Sequence, residues 1–357
     1  MRRSRLERFT DALIAAFLWA FRIAVIAIVV IGSYLTLTEG RFNPSTWLNL
    51  AVDGLVLGSI YALIALGYTM VYGILRMINF AHGEIFMAGS FGGYFAAVFL
   101  ASMGILNANP ILSIFSIIVM IIVAAAIAVA ISLLIERIAY RPLRNAPRLV
   151  PLISAIGASF VLQYSFRGFI GPGIYAYPSI GFLSTQLPLP FRFRIVDALI
   201  VISAVVMMGA LYWFVQRTRY GTAMRAVSED RSTAILMGID VNRTIMLTFA
   251  LGAAMAGAAG VLYGLLFRQI YYFTGFIPGI KAFTAAVLGG IGNIPGAMLG
   301  GIFLGEVESI GSVLFLDGLG VPSTNQLKDV VAFVMLVLVL VFRPSGILGE
   351  RVVKARA

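Results

Sequence analysis

Runs of about 20 apolar residues recur along the whole of this chain, and that recurrence limits the fold more than any single motif does. About 20 mostly apolar residues are what a helix needs to cross the hydrocarbon core of a bilayer. Of the 357 residues, 61% are hydrophobic and only 11% charged, a balance foreign to soluble domains. The chain is therefore read as all-α, a polytopic transmembrane helical bundle of about eight to ten spans.

Spans are expected near 12 to 37, 47 to 72, 84 to 104, 111 to 135, 150 to 170, 195 to 215, 244 to 266, 276 to 291, 296 to 316 and 327 to 342. The eighth is short enough to be either a span or a re-entrant segment. With alternating sides and a cytoplasmic N-terminus, one side receives Arg2, Arg3, Arg5 and Arg8; Arg76; Arg137, Arg141, Arg144 and Arg148; Arg217, Arg219, Arg225, Arg231 and Arg243; and Arg343, Arg351, Lys354 and Arg356. The other side receives only Arg41, Arg192, Arg194 and Arg268. The positive-inside rule then puts both termini in the cytoplasm. The basic start and apolar run of residues 1 to 37 resemble a signal peptide, but the run is long and no clear small-residue cleavage site follows, so it is read as an uncleaved anchor that begins as an interfacial amphipathic helix.

The net charge of +11 is spread between the apolar runs, not gathered on one face or tail, so it reflects topology and not nucleic-acid binding. Without cysteine there is no disulfide framework, thiolate nucleophile or Cys-based metal site. Residues 171 to 194, rich in Pro and Gly, read as a loop whose aromatic residues suit the membrane interface or an external partner.

Small residues repeat every fourth position at Gly54, Gly58, Ala62; Gly89, Gly93, Ala97; Gly252, Ala256, Gly260, Gly264; and Gly296, Gly300. Each series forms one helix face on which backbones can approach closely. AAVLGGIGNIPGA, 285 to 297, interrupts two apolar stretches and reads either as a tight turn or as a broken helix lining a pathway. Gly58, Gly89, Gly93, Gly292 and Gly296 are accordingly candidates for a pathway or a moving seam.

NFAHGE, 79 to 84, holds the single histidine, His82. By parity it lies at a cytoplasmic turn, where Asn79 and His82 are expected to satisfy helix-end backbone groups and Glu84 to sit in the first turn of the next helix. The rival reading has Asn79, His82 and Glu84 lining the inner mouth of a pathway. In the longer cytoplasmic segment 219 to 243, Ser228 is the expected N-cap, Glu229 and Asp230 the first-turn acids and Gly238 the left-handed end of a short helix over about 229 to 237. A structured cytoplasmic loop suggests a docking partner.

LGSIYALIALGYTMVYGILRMINFAHGE (57 to 84), ERIAYRPLRNAPRLVPLISAIGASF (136 to 160), SEDRSTAILMGID (228 to 240) and KAFTAAVLGGIGNIPGAMLGG (281 to 301) together resemble the inner-membrane permease subunits of bacterial branched-chain amino-acid ABC importers. The resemblance divides the chain into a basic extension and anchor over 1 to 45, a permease domain over 46 to 349 and a cytoplasmic tail over 350 to 357. It implies a second, homologous permease subunit, two cytoplasmic ATPase subunits carrying ATP and Mg²⁺, and a periplasmic binding protein. Nothing is expected to bind to this chain as a cofactor. It carries no Gly-x-x-x-x-Gly-Lys-Ser/Thr loop of its own; its lysines are Lys281, Lys328 and Lys354, none in that context. The resemblance maps the ATPase-coupling loop onto Ser228, Glu229, Asp230, Ala234 and Gly238, with Ala234 small enough to let the helix seat in a groove of the ATPase.

Related permeases carry urea and short amides, which is the nearest alternative. An ion-coupled secondary transporter normally needs an intramembrane acid, for which Glu84, Glu306 and Glu308 are the nearest candidates. A membrane enzyme finds little support in one histidine, no cysteine and no paired-acid motif.

Overall fold

The computed structural model describes residues 5 to 144, 146 to 147, 149 to 343 and 345 to 349. Arg2, Arg3, Arg148, Arg351, Lys354, Arg356 and the expected tail over 350 to 357 lie outside the described residues. The long helices are α1 (Arg5–Thr38), α2 (Pro44–Leu75), α3 (His82–Ser102), α4 (Pro110–Ile135), α5 (Leu149–Phe169), α6 (Ile195–Arg217) and α9 (Val241–Phe267). Between α6 and α9 run α7 (Arg219–Glu229) and α8 (Arg231–Leu236); the chain ends through α10 (Phe276–Gly289), α11 (Ile294–Glu306), α12 (Ser312–Leu316) and α13 (Lys328–Phe342). Among the described residues, eight helical stretches are long and apolar enough to cross a membrane. The chain is a multi-pass membrane protein.

The apolar runs set the helices, and local chemistry sets their ends. Pro44, Pro110 and Pro295 each sit in a first turn, where a missing N–H costs nothing. The side chains of Asn109 and Asn293 accept from Leu112 N and Gly296 N to cap α4 and α11. Two π-helical turns, Glu136–Tyr140 and Val307–Gly311, went unpredicted, because a one-residue widening of the helix leaves the apolar pattern nearly unchanged.

Four helices form the centre. At the crossing of α2 and α11, a Cβ on Gly58 would lie 2.7 Å from the Ile302 Cα, and one on Gly301 would lie 2.5 Å from the Ala62 Cα. A Cβ on Gly89 would meet the Gly257 Cα at 2.5 Å where α3 crosses α9, and one on Gly252 would meet the Gly67 Cα at 3.0 Å where α9 crosses α2. In lipid, van der Waals contact between backbones supplies much of the association energy, so the glycine faces are the adhesive of this core.

Cross-links between remote segments define the two ends of the bundle. At one end Arg231 reaches the last carbonyls of α2, Arg144 bonds Asn242 at 2.6 Å, and Tyr140 bonds Asn79 at 3.1 Å. These are the arginine-rich connections, so the alternation expected from sequence holds for them. At the other end Tyr175–Ala176 pairs antiparallel with Gln269–Ile270, Asn107 holds Ser179 and Gly181, and Arg192 holds Asn49 and Asp53. The expected loop over 171 to 194 thus carries a short strand, and its Tyr177 is buried against the Cβ positions of Gly93 and Gly264 instead of facing an interface.

α1 runs unbroken from Arg5 to Thr38 and lies against α12, where Gly32 abuts the Phe315 carbonyl and Thr36 Oγ1 accepts from Gly318 N at 2.8 Å.

Candidate functional site

Two places combine buried polar chemistry with an accessible surface, one at each end.

At the arginine-rich end, the expected helix over 229 to 237 is in fact a helix–cap–helix pair. Thr218 caps α7 by accepting from Gly221 N, and α7 continues through Ser228, whose Oγ donates back to the Arg225 carbonyl at 2.7 Å. Ser228 is therefore not the N-cap, and Glu229 ends α7 instead of opening the next helix. Asp230 is the N-cap of α8: one carboxylate oxygen accepts from Ser232 N at 2.8 Å and Thr233 N at 3.2 Å, the other from Thr233 Oγ1 at 2.7 Å. Ser and Asp are equally good caps; the preceding helix decided between them. Donation from the Thr233 hydroxyl, then from the Thr233 and Ser232 amides, holds the Asp230 carboxyl below its ordinary pKa. Gly238 has φ +79° with nothing near its missing Cβ, as the left-handed turn requires.

Ala234 is corrected as well. It is buried within this chain, so it faces the bundle and not an outside groove. The exposed tip is the apolar trio Ile235, Leu236 and Met237, at 60%, 86% and 78% exposure. Arg231, half-buried, donates to the Ile74 and Leu75 carbonyls at 3.2 and 3.3 Å. A cation on the terminal carbonyls of a helix completes orphan acceptors and complements the helix dipole, so α8 is tied directly to the end of α2.

Nearby, Asn79, His82 and Glu84 are all buried, not at an exposed turn, and the expected capping is absent: the N-cap of α3 is Ala81, with no side-chain bond. Asn79 Oδ1 accepts from Tyr140. The His82 ring lies 4.8 Å from that of Tyr68 and occupies space that a Cβ on Gly67 would fill. Glu84 Oε1 accepts from Gln163 at 2.6 Å, joining α3 to α5. Asn79 Nδ2, His82 Nε2 and Glu84 Oε2 have no partner among the described residues.

Four of the five proposed pathway glycines pack inside the chain, and Gly292 is exposed. Gly58 and Gly89 sit at the α2–α11 and α3–α9 crossings, Gly93 under Tyr177 and Val261, and Gly296 against the Gly289 carbonyl. Gly292, at φ +98°, lies in the α10–α11 turn. The 285 to 297 break is thus a hairpin turn, whose Gly289 and Asn293 bond Leu348. None of these five glycines borders the cavity described next.

That cavity opens towards the other end and has a volume of about 270 Å³. Its apolar wall includes Leu57, Tyr263, Phe267, Phe273 and Ile277, and its polar groups include Tyr61, Lys281, Glu308 and Lys328. Lys281 Nζ bonds Glu308 Oε1 at 2.8 Å and Asp329 Oδ1 at 2.6 Å, with the Tyr61 hydroxyl 3.4 Å from both Lys281 and Glu308 Oε1. Lys281 and Glu308 are each about 95% buried, and Glu308 sits in the π-helical turn after α11. From sequence, Glu308 was a candidate intramembrane acid, and nothing joined it to Lys281. Opposite charges inside spans were the available signal.

Residues 50 to 340 match the family of the branched-chain amino acid transport system permease component. The chain belongs to that family. It is 47% identical to the high-affinity branched-chain amino acid transport system permease protein BraD of Pseudomonas aeruginosa, over 85% of this chain and 96% of that one. It is 44% identical to the high-affinity permease protein LivH of Escherichia coli, strain K12, over 84% of this chain and 94% of the relative. A probable LivH from Methanocaldococcus jannaschii is 29% identical over 83% of this chain. These matches place the helical bundle among transport permeases; the family model begins at residue 50, so α1 precedes the matched region.

Proposed function

We propose that this chain is the membrane-spanning permease subunit of an ATP-driven importer in a bacterial inner membrane, and that its cargo is branched-chain amino acids delivered by a periplasmic binding protein. The observation that carries the reading is the 47% identity across nearly the whole of a relative named for that transport. The arginine-rich end is cytoplasmic, as the positive-inside rule requires, so both termini are cytoplasmic and the cavity faces the periplasm. A second, homologous permease completes the pathway. Two ATPase subunits bind ATP and Mg²⁺ and dock on the exposed Ile235, Leu236 and Met237. An apolar tip backed by a capped helix suits such docking, because a frayed helix would absorb a displacement instead of transmitting it. Arg231 passes the displacement to α2.

The test is uptake by the importer reconstituted with its binding protein and ATPases. Labelled leucine should enter only with ATP and persist when an uncoupler collapses the proton gradient. Uptake that follows the gradient, or import of urea or an amide in place of leucine, would contradict this reading.

A further inference from the structure

Stability alone does not account for the buried charges at the periplasm-facing cavity. A buried ion pair is weak evidence for stability, since the desolvation of both charges offsets their attraction. Within a membrane, ionisable groups that persist commonly mark a substrate path. Lys281 has all its donors committed, to Glu308, Asp329 and Tyr61. Glu308 does not: its Oε2 is buried without a partner among the described residues, and Glu308 is one of the residues lining the cavity. Lys328, half-buried, borders the same cavity and makes no ion pair among the described residues. The cavity therefore offers one unfilled anionic acceptor, one unfilled cationic donor and an aromatic wall.

We propose that this cavity is the entry site for a single free amino-acid zwitterion, with its α-ammonium on Glu308 Oε2, its α-carboxylate on Lys328 and its aliphatic side chain against Tyr263, Phe267 and Phe273. Lys281 is a positioning residue that holds the Glu308 carboxylate in place through its other oxygen. The proposal rests on the amino-acid permease reading above and gives it a site.

Three observations fit this ligand better than others. The volume of about 270 Å³ falls just below the ~300 Å³ at which pockets for drug-sized molecules begin, as one small amino acid requires. A second cavity at the same end, bordered by Arg194 and Arg268, has no acid in its lining and so suits an anion but not a zwitterion. Finally, Lys281 already neutralises much of the Glu308 charge, which keeps the ammonium contact weak. A transporter must release what it binds.

The test uses the complete importer in lipid nanodiscs, illuminated with L-photo-leucine, a diazirine analogue of leucine. Saturable labelling is expected on the peptide carrying Tyr263, Phe267 and Phe273. Excess leucine should compete; isoamylamine, which lacks the carboxylate, and isocaproate, which lacks the ammonium, should not. Glu308→Gln and Lys328→Gln should each lower labelling about tenfold, the scale expected for losing one charge-assisted contact. Should Glu308→Gln fail to assemble, Lys328→Gln decides, because its side chain holds no internal pair. Labelling confined to another region, unchanged labelling in Lys328→Gln, or competition by the amine or acid alone would overturn the site. A wild-type importer that imports urea and not leucine would instead overturn the permease reading, in a measurement independent of the label.

Discussion

The two ends of this bundle use charge in opposite ways. At the arginine-rich end the cations that link segments lie at the surface or half-buried: Arg231 seats α8 on the end of α2, and the exposed Asp230 caps α8, while the buried acids Glu84 and Glu136 there are held by Gln163 and Arg144. At the cavity end, a lysine and a glutamate are nearly fully buried and leave one carboxylate oxygen unfilled. The first arrangement is what a mechanical attachment needs, and the second is what a polar ligand needs. α2 joins them, with Tyr61 beside the cavity and Leu75 under Arg231, about 21 Å apart at 1.5 Å per helical residue. Between these points α2 is clamped by backbone contacts at Ala62 and Gly67, as a helix that is to move as one piece requires.

The largest effect should come from loosening that clamp. Gly301→Val puts a branched side chain into the α2 backbone and should lower stability by about 1 to 3 kcal/mol or more, with both ends failing together in thermal unfolding and in uptake. Gly157→Leu, on α5, where nothing lies within 4 Å of the missing Cβ, should stay within about 0.5 kcal/mol of wild type. Equal effects would mean that the inner and outer helices are not differently packed.

Next in size is the docking tip. Leu236→Asp should weaken ATPase co-purification by about 2 kcal/mol, roughly thirtyfold, as the loss of an apolar anchor does. Labelling of the cavity by photo-leucine should be untouched. Ala234→Trp should disturb the packing of α8 in this chain before any ATPase is added, seen as faster hydrogen exchange over 231 to 236.

Smaller still, Gly238→Val should cost about 1 to 2 kcal/mol through its left-handed backbone alone, read from the unfolding of the purified complex. The smallest effect is the pH response of the cap. Because the folded Asp230 carboxyl is held below its ordinary pKa, its support of α8 is complete above the usual aspartate range. That support is lost as pH falls through the lowered value. Exchange of the Ser232 and Thr233 amides should quicken over that acid range. Asp230→Asn, still a good cap, should flatten the response.

The spans were legible because apolar length is a one-dimensional signal, and the same holds for the alternation of arginine-rich connections. The glycine faces were legible as faces, but not their partners. That Gly58 meets Ile302 and Gly89 meets Gly257 depends on how helices remote in sequence cross. Gly238 was readable from its position, whereas the cap was misplaced by two residues because Ser228 and Asp230 carry equal local preference. The cavity was least legible: Lys281, Glu308 and Asp329 come from three separate elements, and a π-helical turn re-aims Glu308 without altering the apolar pattern. Glu84 was readable as a first-turn acid of α3, but Asn79 and His82 were expected to satisfy exposed helix-end groups, whereas all three are buried, with Tyr140 on Asn79 and Gln163 on Glu84, both from distant segments.

Transmission from the α8 tip through Arg231 to a rigid α2 is the central claim, and the ratio of leucine imported to ATP hydrolysed by the reconstituted importer tests it most directly. Arg231→Gln removes the charge on the α2 carbonyls while leaving the docking tip intact. The account predicts near-normal ATP hydrolysis with a ratio lowered about tenfold, the scale of one lost charge-assisted contact. An unchanged ratio at normal hydrolysis would contradict it.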